Sequence, residues 1–223
     1  MAASDTVGDL GQLAEALAEE FTSLLRATVA NGASLLVDTP RDDHRRIRPS
    51  PHGARITLEE PVNSRHRRPE LDIDVELRMA RNGVHLATTK SRFSLWVVRE
   101  DGDKAQPLVR LEYERSARSK PPSHGHAHLE VWSAGDEFRK VHLPLGAPLY
   151  RPALEDFIEF LIESDSAKPV DSSWRKPIAE QRQRWYRRQL QAAIEDDPET
   201  AADALQNSGY QVSATGDLPD RSG

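Results

Sequence analysis

Three histidines alternate along His124-Gly125-His126-Ala127-His128, and a fourth, His142, follows fourteen residues after the last of them. In an extended segment, alternate side chains share one face. His126 and His128 then point the same way, and His124 joins them if the strand begins early. Imidazole is the commonest metal ligand near neutral pH. Glu112 and Glu114 sit on the polar side of the apolar-alternating run before it. If the two runs pair, His and carboxylate side chains converge in a set suited to zinc, manganese or iron. A cation held there would lower the pKa of its bound water and supply a hydrolytic nucleophile. The plainer reading is a wet strand face on which the histidines meet Glu112 or Glu114 as cross-strand pairs.

A second constellation mixes aromatic and basic residues: Trp174-Arg175-Lys176, then Arg182-Gln183-Arg184-Trp185-Tyr186-Arg187-Arg188. Interleaved bases and rings can neutralise phosphates and stack on nucleobases. They can equally meet an acidic protein. Against both stands the helical spacing of Trp174, Ile178, Trp185 and Gln189, which would dock the tryptophans on a core and leave the arginines in water. The acidic segment from Glu195 could also fold back on them.

Two weaker candidates complete the set. Asp72, Asp74 and Glu76 share one strand face and could hold Ca²⁺ or Mg²⁺, although Arg92 on the hairpin partner is the more natural mate. Trp96 and Trp132 fall on the polar side of their strands, where large aromatics call for cover or a ligand; a terminal helix could provide that cover.

The elements that must position these residues are legible in the pattern. Asp9 caps a helix whose Leu10, Leu13, Leu17, Phe21, Leu24, Leu25 and Thr28 recur at helical spacing, with Asn31-Gly32 as the stop. Residues 39–53 and 63–69, rich in Pro and Arg, read as exposed basic loops, with a short strand over 55–58 between them. Leu71 to Met79 alternates apolar and charged throughout and is the clearest strand. Asn82-Gly83 is a strong hairpin signal. Phe93, Leu95 and Val97 then mark a returning strand; Val109, Leu111 and Tyr113 a third; Ala127, Leu129 and Val131 a fourth. Residues 116–125 read as a polar loop, and 142–148 as irregular. Pro152 opens a helix with Leu154, Phe157, Ile158 and Leu161 inward, and Asp171 precedes a longer helix over about 174–194. Pro198 starts a last short one.

Strands grouped between helices imply an α+β fold: an antiparallel meander of four to five strands packed by an N-terminal helix and C-terminal helices. The expected organisation is a flexible N-terminus at 1–8, a single α+β domain at 9–165, a helical extension at 171–207 and a disordered tail at 208–223.

Composition narrows the function classes. The 223 residues include no Cys, which removes thiol nucleophiles, Cys-ligated zinc and iron–sulfur clusters. The net charge of −6 argues against general nucleic-acid binding. The charge is unevenly spread: residues 174–194 carry six bases and one acid, and residues 195–223 one base and seven acids. No apolar run approaches a membrane span, and no basic, greasy leader begins the chain, so a soluble cytoplasmic protein without membrane partners is expected. Walker A, GxGxxG and GxSxG signatures are missing. The leading expectation is therefore a non-enzymatic binding or adaptor module with a protein partner and no cofactor. A metal-dependent hydrolase at the His/carboxylate set, using a divalent metal, and nucleic-acid binding through the basic helix are the alternatives.

Overall fold

The computed structural model describes residues 9–50, 54–59, 67–80, 83–99, 105–114, 127–132, 138–142, 153–196 and 198–209. His124, His126, Asn82, the loop 116–125, residues 143–152 of the proline-bracketed stretch, and the terminal segments 1–8 and 210–223 lie outside these. The chain divides into two compact units, Met1–Arg182 and Gln183–Gly223.

The first unit is α+β. Helix α1 (Leu10–Thr28) precedes strands β1 (Leu35–Arg41), β2 (His44–Pro49), β3 (Ile56–Thr57), β4 (Arg67–Met79), β5 (Leu86–Arg99), β6 (Gln106–Glu114), β7 (Ala127–Trp132) and β8 (Phe138–His142). Helices α2 (Leu154–Glu163) and α3 (Arg175–Asp196) follow, and α4 (Pro198–Asn207) belongs to the second unit. All eight strands form one sheet, in the order β1-β2-β4-β5-β6-β7-β8, with β3 paired to β4 off that path. Every pairing is antiparallel.

The sheet is larger than the four to five strands expected, for identifiable reasons. The segment read as an exposed loop over 39–53 instead supplies the end of β1 and the whole of β2. Ile47 enters the core opposite Val37, and Arg46 and Arg48 emerge opposite Asp38 and Leu36. Pro49 sits at the end of β2, where a missing N–H is tolerated. Residues 67–69, assigned to a basic loop, open β4. Strand β8 pairs β7 although no strand was expected there.

One face of the sheet is the core. Leu71, Ile73, Val75 and Leu77 of β4 meet Phe93 and Leu95 of β5, and Val109 and Leu111 of β6 follow. Helix α1 lies on this face. Its buried stripe is centred on Ala14 and Ala18, with Leu13 and Leu17 only half-buried at its flank; the small residues let the helix approach the sheet closely. Asp9 caps it, its carboxylate accepting the Gly11 N–H at 2.9 Å. Helix α2 inserts Leu154, Phe157, Ile158 and Leu161, with Phe157 stacked on Phe93 at 6.1 Å between ring centroids. Asp156 reaches back to accept the Ala153 N–H at 3.1 Å, satisfying a donor at the helix start. Trp174 and Ile178 close the same core. At the β4–β5 turn Gly83 has φ 72°, a left-handed conformation that favours glycine.

Among the described residues no helix is long and apolar enough to cross a membrane.

Candidate functional site

The opposite face of the sheet carries the chemistry-bearing residues, and strand register arranges them in rows. One row runs Asp74, Arg92, Glu112, His128, His142 across β4 to β8. The next runs Asp72, Ser94, Arg110, Glu130, Lys140. From Asp74 to Arg92 to Glu112, and again from Arg110 to Glu130, opposite charges stand directly across from each other, so these neighbours attract rather than repel.

The rows are tied together by ion pairs. Asp74, almost wholly buried, accepts two bonds from Arg46, from Nε and Nη2, each at 2.6 Å. This fork-on-carboxylate geometry is the strong form of the pair, and it holds the Arg46 guanidinium protonated even more firmly than usual. Arg92 Nη2 adds a bond to Asp74 at 3.1 Å and lies 3.5 Å from Asp72. Asp72 is left with less compensation. Burial pushes its carboxyl above the usual carboxylate range, partly opposed by Arg92. Arg110 Nη1 reaches Glu130 at 3.3 Å and Glu112 at 3.7 Å. Glu70 meets Arg68 at 2.9 Å and Arg55 at 3.4 Å. Arg48 pairs with Asp38 across β1 and β2.

Of the histidine and carboxylate set, His128 and Glu112 come together, with Nε2 and Oε2 3.7 Å apart. Backbone register sets His142 directly across β7–β8 from His128. Glu114 stands two residues farther along β6, opposite Lys90 of β5. His124 and His126 are outside the described residues. Among the described residues no three His, Cys, Asp or Glu side chains are grouped so as to hold a metal ion. Arg110 on Glu112, and Arg46 and Arg92 on Asp74, already place positive charge where a cation would have to sit.

The acidic stripe Asp72, Asp74 and Glu76 lies on this charged face, with Arg92 on its first two members as the sequence suggested. The arginines of β2 and β6 were not foreseen in this role. The signal was available in the alternation of Arg46, Ile47 and Arg48, masked by three nearby prolines. Trp96 lies on the charged face opposite Glu70. The N-terminal helix α1 lies on the other face and does not cover it. The Arg55 guanidinium stacks on its ring at 3.9 Å from the centroid, a cation–π contact. Trp132 is half-buried at the β7–β8 edge, opposite Phe138.

The aromatic and basic residues near the C-terminus divide. Trp174 is buried, with the Arg175 guanidinium 4.2 Å from its ring centroid. Arg182 bonds Asp156 at 2.7 Å and also pairs with Glu159, both on α2, and these partners hold its proton more tightly than usual. In the second unit, Arg184, Arg187 and Arg188 are exposed along α3, and Trp185 is half-buried with its ring edge against Tyr186 at 5.4 Å. Tyr186, Leu190 and Ile194 are all exposed. The sequence pattern names the arginines, Trp185 and Tyr186 but not Leu190 and Ile194, which continue from Tyr186 at four-residue spacing.

The α+β architecture, an open antiparallel sheet with helices on one face, is the class the fold defines. No family model, curated protein or solved structure matches the chain.

Proposed function

We propose that the chain is a non-enzymatic protein-binding module that presents the distal half of α3 to an acidic, amphipathic partner segment. The observation that carries this reading is the stripe Tyr186, Leu190 and Ile194, which are 50%, 63% and 40% exposed. Four-residue spacing puts them on one helical face. Covering a large apolar side chain is worth roughly 1.5–3 kcal/mol, so a partner helix over this stripe gains a usable core. Arg184, Arg187 and Arg188 are exposed on the same stretch and supply a basic rim, which favours an acidic counterpart and speeds its encounter.

The test is affinity capture from cells making the full chain at native level, beside a Leu190→Ser/Arg187→Glu variant. A protein recovered with the wild type alone is then reduced to its acidic amphipathic segment as a synthetic peptide. Saturable binding of that peptide, weakened by the variant and by salt, supports the proposal. Recovery of the same proteins with both forms overturns it. Steeply salt-dependent binding of RNA or DNA by the purified chain would move the function to nucleic acid. Near-stoichiometric metal, lost in His128→Ala, would move it to the sheet.

A further inference from the structure

Helix α1 and edge strand β1 enclose an open groove of about 500 Å³. Ala18, Leu35 and Val37 give it an apolar lining, and the exposed carboxylates of Glu15 and Glu19 stand along its helical wall. Near the Ser34 end, the Arg26 guanidinium is held by its Nε bond to the Ala33 carbonyl at 2.7 Å.

The groove runs beside backbone that lacks a strand partner. Strand β1 is the end of the sheet, so among the described residues nothing pairs with its outer edge. The outward-facing groups follow from register. Ser50 donates its N–H to the Ser34 carbonyl at 3.1 Å, and the register of β1 and β2 places Leu35 opposite Pro49 and Val37 opposite Ile47. In an antiparallel ladder, hydrogen-bonded and non-hydrogen-bonded pairs alternate. Ser34 bonds inward, so Leu36 and Asp38 do too, while Leu35 and Val37 turn their N–H and C=O groups outward. Pro49, which has no N–H to give, stands where that parity requires none. The outer edge of β1 therefore offers two N–H and two C=O groups, on the same residues whose side chains line the groove.

We infer that the groove between α1 and β1 accepts an extended, basic segment of a partner protein, which adds to β1 as a further strand. Main-chain bonds to Leu35 and Val37 would supply affinity, and alternate side chains of the added strand would supply specificity. Those on the helix side meet Leu35, Val37 and Ala18 along their stems and Glu15 and Glu19 at their ends, so a Lys or Arg, with an apolar stem and a basic tip, is favoured there. This surface belongs to the first unit and rests on no part of the α3 proposal.

The test uses the full chain and a fluorescein-labelled hexapeptide alternating Lys and Thr, with the Lys set on the helix side, read by anisotropy. Two further peptides carry N-methyl groups on one or the other set of alternate amides. Saturable binding is expected, with one methylated peptide weakened at least about tenfold, as loss of strand bonds requires, and the other little changed. Glu15→Gln/Glu19→Gln, both exposed sites, should weaken the parent peptide about fivefold. Amide shifts in NMR should centre on Leu35 and Val37. No saturable binding, equal weakening by both methylated peptides, or shifts elsewhere would overturn the inference. So would a dimer in sedimentation with the Leu35 and Val37 amides already protected from exchange, which would assign the edge to a second copy.

Discussion

Both halves of α3 carry apolar residues and arginines, and they meet opposite fates. At the proximal end, Trp174 just before the helix and Ile178 within it are buried, Gln181 donates to Glu20 of α1 at 3.3 Å, and Arg182 is gripped by Asp156 and Glu159. In the distal half, Tyr186, Leu190 and Ile194 continue an apolar face in the open. Helical periodicity states which face is apolar. It does not state whether anything lies against that face. The difference comes from partners far away in sequence: α1 and α2 supply an apolar floor and acidic side chains for the proximal half.

The largest expected effect is at the buried end. Trp174→Ala should cost about 3–5 kcal/mol in chemical denaturation, as truncation of a large core ring does. A loss below about 1 kcal/mol would place Trp174 outside the core that defines the proximal half. Asp74→Asn comes next. It leaves Arg46 and Arg92 facing each other across a buried site without their shared carboxylate, and roughly 3 kcal/mol should be lost. Arg182→Ala removes a half-buried pair with α2 and should cost about 1 kcal/mol. Its distal counterpart Arg187→Ala, and Leu190→Ser on the stripe, should each change stability by less than about 0.5 kcal/mol. Equal losses at Arg182 and Arg187 would erase the contrast between the halves.

A smaller effect is read by pH. Burial raises the Asp72 carboxyl, so the folded chain holds that proton more tightly than the unfolded one does. Stability from this group is complete below the ordinary value of 3.8 and falls as pH rises through the higher folded value. Asp72→Asn should therefore match the wild type at low pH and melt at a higher temperature near neutrality. Asp171, before α3, behaves in reverse. It accepts the Ser173 N–H at 2.6 Å, which lowers its carboxyl. Its contribution is present above 3.8 and fades as pH drops through the lower folded value. Melting curves of Asp171→Asn against pH should converge with the wild type only in acid.

Much of the fold was legible because alternation survives in the central strands. Leu71 to Met79, Val109 to Tyr113 and the helix around Phe157 declare their faces without help. The first two strands did not, since Pro40 and Pro49 and a run of arginines mimic a loop. Their strand character depends on Asp38 and Asp74, which neutralise Arg48 and Arg46 from neighbouring strands. The site was legible only in part. Adjacent residues such as His128 and Glu112 could be paired by strand order. The claim of Arg110 on Glu112 and Glu130 could not, because it requires register to the single residue. The α1–β1 groove left no mark in either segment alone; it arises only from where one stops covering the other.

The Gln181–Glu20 bond spans 161 positions of the chain. Apart from β2, which also pairs β4 across the short β3, each strand of the sheet finds its mate beside it in sequence, so the meander can zip up as it emerges during synthesis. Its greasy face cannot be sealed until Trp174 and Ile178 have been made. At the pace of translation, the interval between residues 142 and 182 lasts roughly 2–8 s. For that time the core lacks the Trp174 and Ile178 that complete it, a window in which a chaperone has something to hold.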